Sequence, residues 1–590
     1  MRNKRLIGII ILFFLLTAVV VYFLADRMLI RRGEFQTSRY QDKKFIALMN
    51  ELVDQGIFEA QDDQVIMNEE KLRLRGLGKK TEERVRHYVP YLYVKDHRIY
   101  FEDLSASIAN VRQNADEILI RGRFLDRNGV VLAKSEMDAK TKSVKREYVY
   151  GPVLYPIIGH DHVVYGKRNL EKVLDAHLSG MSHAPVYQLT DDSVKKIRLG
   201  DDVVLTIDSS IQKAAFEAMA GKKGAVVVLD VKTGEILAAV SVPAFDPDTK
   251  EADVWRKVFR DNKERLYENR AFSALYPPGS TFKVVVASAW IERIKGDGEE
   301  KKVKIFCAGK KNKYQISDIH AHGMVDFDRA FVESCNIFFS EVGVRLGEQI
   351  MNYSKLFGFG KTINLIPGIS GIEYDAVRSD AFSQSDDADK KSSPRAAFDF
   401  RHNPKIVAQG AIGQNLVNAT PLQMAMVAAT VANGGNALPP TILKELRVGG
   451  GGKVLFSAGK GESHRAIEKE TSELITNLMI SVMAKGTGKN VKKIFYDGRR
   501  YTTKPIGSET KAVMVAGKTG TAEVGDKNDD GIIDKDEKPH SWFIGFAPAD
   551  KPRLAIAVVA ENQGFGSLAA APVAMDVLAE ALNDLQPVRK

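Results

Sequence analysis

The chain of 590 residues carries only two cysteines, Cys307 and Cys335. That number permits at most one disulfide in an oxidising compartment, and an isolated pair of buried thiols is the equal alternative. Long basic runs and basic patches interleaved with aromatics are also missing, so the net charge of +10 is modest for the length and gives no argument for nucleic acid. A weak attraction to anionic lipid heads or envelope polymers is sufficient to account for it. No glycine-serine linker divides the chain, and no catalytic constellation is visible before residue 200. One apolar run stands out. Leu6 to Ala25 is uncharged, close to the roughly twenty residues a helix needs to cross a bilayer. Only Met1 to Arg5 precede it and no small-residue cleavage site is obvious, so an uncleaved anchor is expected. Cations flank it on both sides, Arg2, Lys4 and Arg5 before and Arg27, Arg31, Arg32 and Arg39 after, so counting them leaves its orientation open.

Three short words supply the chemistry: Ser280-x-x-Lys283, Ser334-x-Asn336 and Lys518-Thr519-Gly520. Each alone is weak. Ser-x-x-Lys also occurs at Ser193, Ser210, Ser457 and Ser508, and Lys232-Thr233-Gly234 repeats the third word, whereas Ser334-Cys335-Asn336 is the only Ser-x-Asn. Context selects Ser280. Tyr276-Pro277-Pro278-Gly279 punctuates the chain before it and Phe282 to Trp290 then runs apolar, which predicts a buried helix that begins at the serine. Residues three apart share a helix face, so the Lys283 amine is expected within reach of the Ser280 hydroxyl, ready to take its proton. A lysine can do this only when neutral. Burial among Phe282, Val284 and Val285 with another cation nearby would lower its pKa as required. Taken alone, the word reads more readily as a helix cap with a solvated lysine, and it is the company of the other two words that reverses the balance.

Ser334 and Asn336 follow the amphipathic stretch Val325 to Val332 and read as a helix-to-helix turn that turns both side chains to one cleft. The hydroxyl there could relay a proton and the amide could hold a peptide group, although either residue also serves as an ordinary cap. Lys518-Thr519-Gly520-Thr521 reads as a strand with glycine where another backbone must approach. Lys518 would supply positive charge, Thr519 and Thr521 would bind a carboxylate, and the N–H groups of Thr521 and Ser280 would form an oxyanion hole. The copy at Lys232 sits between two apolar runs as a hairpin turn and is assigned no chemistry.

Together and in this order the three words resemble those of the penicillin-binding transpeptidases and their serine β-lactamase relatives. Arg121 to Gly129 (Arg-Gly-Arg-Phe-Leu-Asp-Arg-Asn-Gly) with Leu132-Ala133 looks like the amino-terminal signature of class B penicillin-binding proteins. Leu205 to Asp208, Gly413-Gln414 with Thr420 to Gln423, and Phe546 to Asp550 extend the likeness over most of residues 120 to 590. The resemblance implies an acylated nucleophile at Ser280, its base at Lys283, a second motif at Ser334 and Asn336, and a substrate-binding third motif at Lys518, Thr519, Gly520 and Thr521. It implies attack on the D-alanyl-D-alanine end of a peptidoglycan stem peptide, acylation by β-lactams, and no catalytic cofactor. Two departures stand out: Asn415 replaces the glycine that usually follows Gly413-Gln414, which bears on turn geometry, and Tyr165 to Glu171 is a loose form of the family's glycine-rich segment, which bears on an inter-domain contact.

The expected architecture is α+β: a cytoplasmic tail (1–5), a transmembrane anchor (6–25), a mixed β-rich pedestal (26–198) and a transpeptidase domain (199–590) with a central antiparallel sheet flanked by helices. The sheet is expected from Val226 to Leu229, Ile236 to Val240, Met514 to Ala516, Trp542 to Phe546 and Leu554 to Val559, while Ser379 to Arg395 reads as a mobile surface loop. The substrate implied by the resemblance places the bulk outside the bacterial cytoplasmic membrane. No glycosyl-transfer motif pair is evident, and class B likeness implies a multi-spanning membrane glycan polymerase as partner. A β-lactam-hydrolysing or carboxypeptidase enzyme and a non-catalytic sensor or division scaffold are the competing readings.

Two metal words are also present. Asp526, Asn528, Asp530, Ile532 (through its carbonyl), Asp534 and Glu537 fit a twelve-position calcium loop, with an acidic hairpin tip as the alternative. Cys307, Asp318, His320 and His322 make a metal-like cluster, with the last three on one side of an assumed strand, but a structural or turn role for the histidines outweighs a site there.

Overall fold

In this computed structural model the described residues are 117–585, apart from 138–143, 163–164, 182–185, 191–192, 250, 261–263, 296–301, 370–371, 383–398, 460, 506–509 and 525–536, together with short stretches between 52 and 101. The expected tail and anchor lie outside them, as does most of the loop expected at Ser379 to Arg395. The part of that loop that is described differs from expectation. Ser379 is buried, and Asp380–Ala381 pairs with Val417–Asn418. Among the described residues no helix is long and apolar enough to cross a membrane.

Two compact units emerge. The first holds the short upstream hairpins Phe58–Gln61 with Gln64–Met67 and Leu92–Lys95 with Arg98–Phe101. The second comprises Asp116–Asp161 and Lys167–Lys590. In it, the strands Phe124–Leu125, Val131–Met137 and Val144–Tyr148 share one six-stranded sheet with Asp202–Leu205, Leu443–Arg447 and Val454–Ser457. This sheet therefore runs across the boundary expected at 198/199.

The Arg121 to Gly129 signature owes its composition to this junction. Arg121 is buried against Glu171 (2.7 Å), Asp175 (2.6 Å) and Asp161 (3.1 Å), and Arg146 reaches the other oxygen of Glu171 at 2.7 Å. Gly122 has no room for a Cβ, which would sit 1.7 Å from the Asp201 carbonyl oxygen. Arg123 pairs with buried Asp202 at 2.6 Å. Asp126 accepts from the backbone of Asn128 and Val130 and from Ser209, tying the turn to the start of the helix Ser209–Ala218. Glu171 ends the loose glycine-rich segment, and its buried pairing holds despite that looseness.

The catalytic half is organised by a five-stranded antiparallel sheet, β1 (Gly224–Asp230), β2 (Ile236–Val242), β3 (Ala516–Ala522), β4 (His540–Ala547) and β5 (Leu554–Ala560), in the order β2-β1-β5-β4-β3. The expected third strand starts later than Met514, so it contains the whole Lys518-Thr519-Gly520-Thr521 word, on the sheet's edge. Strands such as Ile236–Val242 are apolar apart from Ser241 because both faces are covered. On one face Val226, Val228, Phe543 and Val558 pack with α1 (Ser209–Ala218) and the C-terminal helix Ala570–Asp584. On the other, Val227, Trp542, Ile544 and Val559 pack with α2 (Lys283–Ile294), α3 (Asn336–Leu346) and α4 (Pro421–Ala432). The Lys232 copy of the third word is the β1–β2 turn, with Gly234 at φ +76 and the Asp230 carboxylate accepting from the N–H of Lys232 and Thr233.

Arg121→Met should destabilise the second unit by about 3–5 kcal/mol, because it strands the Glu171 carboxylate without full compensation. A loss of under about 1 kcal/mol in denaturant unfolding, monitored by tryptophan fluorescence, would remove the cluster from the stabilising set.

Candidate active site

Ser280 sits in a one-turn 3-10 segment, Gly279–Phe282, that leads directly into α2. The preceding residues are tied down on two sides. Tyr276 exchanges both backbone hydrogen bonds with Ala419, the Trp542 indole N–H donates to the Pro277 carbonyl at 3.1 Å, and Gly279 N–H donates to Gly413 at 2.9 Å. Gly279 has φ +54, and a Cβ on Gly413 would lie 2.1 Å from its carbonyl oxygen. Asn415 takes φ +59, a left-handed conformation that asparagine tolerates better than most residues, and its side chain donates to Gln409 at 2.7 Å. The departure from glycine there leaves the turn intact.

The two lysines form the floor of the cleft. Lys283 and Lys518 are fully buried, whereas Ser280, Ser334, Asn336 and Thr521 are half-buried. Lys283 Nζ donates to the Ser334 carbonyl (2.7 Å), to Asn336 Oδ1 (2.7 Å) and, more weakly, to Ser334 Oγ (3.3 Å). Lys518 Nζ donates to the same Ser334 Oγ at 2.8 Å and to the Thr519 carbonyl at 3.2 Å. Phe339 lies under one amine and Phe331 under the other. Thus all three words meet, with Ser334 at the centre. Among the described residues no hydrogen bond joins Ser280 to Lys283, and the three hydrogen bonds of the lysine all go to the second motif.

Electrostatics follow from burial. Desolvation pushes Lys283 down to about 8, against the opposing pull of Asp318 and Cys335. Lys518 is held well below the ordinary lysine value by burial first and by the charge of Lys283 second. A neutral amine keeps two N–H bonds and a lone pair. Of the three bonds Lys283 makes, the long one to Ser334 Oγ is the weakest and is the first released on deprotonation. The lone pair so freed points toward the Ser334 hydroxyl.

The second motif is strained into place. Ser334 has φ +61, a conformation that costs of order 1–3 kcal/mol for a residue other than glycine. Asp318 offsets this from outside the motif: its carboxylate accepts from the N–H of Asn336 (2.8 Å) and Ile337 (3.0 Å), satisfying two of the orphan donors at the start of α3. Against the burial that raises it, the charge of Lys283 and these two N–H groups keep the Asp318 carboxyl below its usual range.

The edge strand β3 brings the third motif alongside Ser280. A Cβ on Gly279 would lie 2.7 Å from the Thr521 carbonyl oxygen, and one on Gly520 would lie 2.9 Å from the Thr281 methyl carbon. Glycine at both positions is what lets strand and turn touch. Thr519 Oγ1 shares a hydrogen bond of 2.6 Å with Thr487 Oγ1, a residue the sequence words do not include. Its flanking Gly486 and Gly488 were the available sequence signal.

The metal words fare differently. Asp526, Asn528, Asp530, Ile532 and Asp534 lie outside the described residues, and Glu537 is described and buried. Cys307, Asp318 and His322 do gather, but through a loop rather than strand alternation. His320 is exposed, and Cys335 takes its place. The two cysteines are free thiols here.

A buried lysine pair on one serine hydroxyl, beside a helix-start serine and an edge strand, defines an active-site serine fold of the Ser-x-x-Lys class. The family described as the penicillin binding protein transpeptidase domain matches residues 224–579, and the penicillin binding protein A dimerisation domain matches residues 121–200. The chain belongs to the penicillin-binding protein transpeptidase family. It is 29% identical over 460 residues to peptidoglycan D,D-transpeptidase MrdA of Acinetobacter baumannii, covering 73% of this chain and 61% of that protein. It is 28% identical over 511 residues to peptidoglycan D,D-transpeptidase PbpA of Mycolicibacterium smegmatis, covering 82% and 93%. Among solved structures, penicillin-binding protein A of Mycobacterium tuberculosis in its penicillin G acyl-enzyme complex matches with TM-score 0.62 and 27% identity, over 79% of this chain and all of that one.

Thr487→Val should lower the second-order rate of acylation by a penicillin about tenfold, on the order of 1–2 kcal/mol for the lost hydroxyl partner of Thr519. A rate within twofold of the native protein in stopped-flow acylation would show that Thr519 needs no such support.

Proposed function

We propose that the chain is a serine D,D-transpeptidase that crosslinks peptidoglycan stem peptides and is acylated by β-lactams at Ser280. The observation that carries this reading is the convergence of Lys283 and Lys518 on Ser334 Oγ, with Lys283 one helical turn from Ser280. Neutral Lys283 takes the Ser280 proton as Oγ bonds to the carbonyl carbon of the penultimate D-alanine. The tetrahedral oxyanion accepts from the N–H groups of Ser280 and Thr521. Its collapse breaks the C–N bond to the last D-alanine, whose nitrogen receives a proton from Lys283 through the Ser334 hydroxyl. The amine of a neighbouring stem then attacks the acyl-enzyme, and the same steps in reverse free Ser280. Lys518, Thr519 and Thr521 hold the substrate carboxylate, and Asn336 holds a peptide group. In a β-lactam the expelled nitrogen stays tethered to the acyl group, so it blocks the amine.

The wider setting belongs to the same proposal. Leu6 to Ala25 anchors the chain in the bacterial cytoplasmic membrane with its bulk outside, and residues 26–198 serve as pedestal. Glycan polymerisation falls to a multi-spanning membrane partner, since this chain carries no glycosyl-transfer motif pair. The Asp526–Glu537 loop binds calcium if titration calorimetry finds heat at millimolar calcium, and is a plain acidic tip if it does not.

Fluorescent penicillin should label the native protein and fail to label Ser280→Ala. Retained labelling in that variant would move the nucleophile elsewhere. Because Lys283 must be neutral to act and its pKa is lowered to about 8, the acylation rate should rise with pH, reach half its limit near pH 8 and then level off. A rate independent of pH between 6 and about 9.5 would contradict the lysine as base.

A further inference from the structure

Three largely buried polar side chains, Arg270, Tyr276 and Glu561, meet at the turn that delivers Ser280, and all of them lie outside the three sequence words. Glu561 stands directly after β5, its backbone N–H donating to the Lys223 carbonyl at 2.7 Å. One oxygen of its carboxylate accepts from the Tyr276 hydroxyl at 2.7 Å and from Arg270 Nε at 3.0 Å, and Lys223 stands 3.5 Å from the other oxygen. Arg270 is fully buried and also donates to the carbonyls of Glu264 (2.9 Å) and Arg265 (3.2 Å). Against the burial that raises it, the Tyr276 hydroxyl and the charges of Arg270 and Lys223 keep the Glu561 carboxyl below its usual range, so it serves both donors as a carboxylate.

Tyr276 is held by backbone, ring and hydroxyl together. Its backbone exchanges both hydrogen bonds with Ala419, and its ring meets those of His540 and Trp542 edge to face, with centroids 5.5 and 6.1 Å away. Only Pro277, Pro278 and Gly279 separate it from Ser280. The prolines fix their own φ angles and Gly279 is bound to Gly413, so a shift of the tyrosine passes on to the nucleophile instead of being absorbed. Through β5, β4 and β3, which pair in that order, the Glu561 carboxylate refers this turn to the sheet that carries Thr521.

We propose that Glu561, acting through the Tyr276 hydroxyl, is a positioning residue that sets the Ser280 turn against β3, so that attack and oxyanion binding share one geometry. This inference rests on the proposed acylation of Ser280. Among the described residues neither side chain hydrogen-bonds Ser280, Lys283, Ser334 or Lys518, so the effect reaches the cleft through the backbone. Misplacing reacting groups by about 1 Å costs roughly a hundredfold in rate, and losing one tether among several should cost about tenfold.

Stopped-flow acylation of the full chain by a penicillin separates noncovalent affinity from limiting rate. Tyr276→Phe should lower the limiting rate per active site about tenfold. The dissociation constant of the noncovalent complex should move less than twofold, and the half-rate should stay near pH 8, since Lys283 is untouched. Glu561→Ala should lose at least tenfold, and adding Tyr276→Phe to it should cost less than a further twofold. Glu561→Gln, whose amide oxygen still accepts from the hydroxyl, should stay within about threefold of the native rate. If Glu561→Ala leaves Arg270 unpaired and does not fold, the phenylalanine and glutamine variants carry the comparison. A limiting rate for Tyr276→Phe within twofold of native overturns the inference. So does a loss confined to affinity or to the fraction of sites labelled, which is what a merely structural role would give. Hydrogen exchange read by mass spectrometry needs no acylation: the peptide over 276–282 should exchange at least tenfold faster in Tyr276→Phe, and exchange within twofold of native would mean that the hydroxyl does not hold the turn. A native protein that penicillin fails to label would instead contradict the transpeptidase reading, and the exchange result alone would then decide the tether.

Discussion

Two lysine amines buried against one serine hydroxyl create the constraint that organises the catalytic half. Water solvates an ammonium far better than a protein interior does, so two of them a few ångströms apart cannot both stay charged without cost. The cleft answers with oxygen acceptors, the carbonyls of Ser334 and Thr519 and the amide oxygen of Asn336, and with the faces of Phe331 and Phe339. Enough charge stabilisation remains to hold the amines in place. Enough desolvation remains to make a neutral Lys283 accessible near pH 8.

The scaffold serves that arrangement by fixing three chain segments that are distant in sequence. The central sheet sets β3 on its edge, where a peptide can lie along it. The Gly413 turn and the Trp542 indole hold the residues just before Ser280, so that α2 points its first turn at the cleft. Asp318 holds the start of α3 and keeps Ser334 in its strained backbone conformation. Glycines at 279 and 520 matter for what they lack: a single Cβ at either would part the strand from the turn.

The sequence was most legible where chemistry is packed into short words or where a strand is covered on both faces. Tyr276-Pro277-Pro278-Gly279 foretold a helix start, and the apolar runs around Val226, Ile236 and Leu554 foretold the sheet. The long-range contacts were not legible. That Lys283 hydrogen-bonds Ser334 and Asn336 depends on how α2 and α3 pack, which no local spacing encodes. Thr487 lies outside the three words, and although its flanking Gly486 and Gly488 mark a turn, they do not reveal the hydrogen bond to Thr519. Cys335 and His320 exchanged roles because residues 318–322 form a loop, so the alternation assumed for a strand did not apply. The six-stranded sheet crosses the expected domain boundary because Asp202–Leu205 pairs with Phe124–Leu125 on one side and Leu443–Arg447 on the other, a union of three distant segments.

The most direct measurement is the protonation of Lys283 itself in the unreacted protein, read from the Nζ resonance of nitrogen-15-labelled lysine across a pH titration and assigned through Lys283→Arg. Deprotonation midway near pH 8 is the expected result. A midpoint at about 10.5, the ordinary value for a solvated lysine, would mean that the amine is not desolvated and cannot serve as the base.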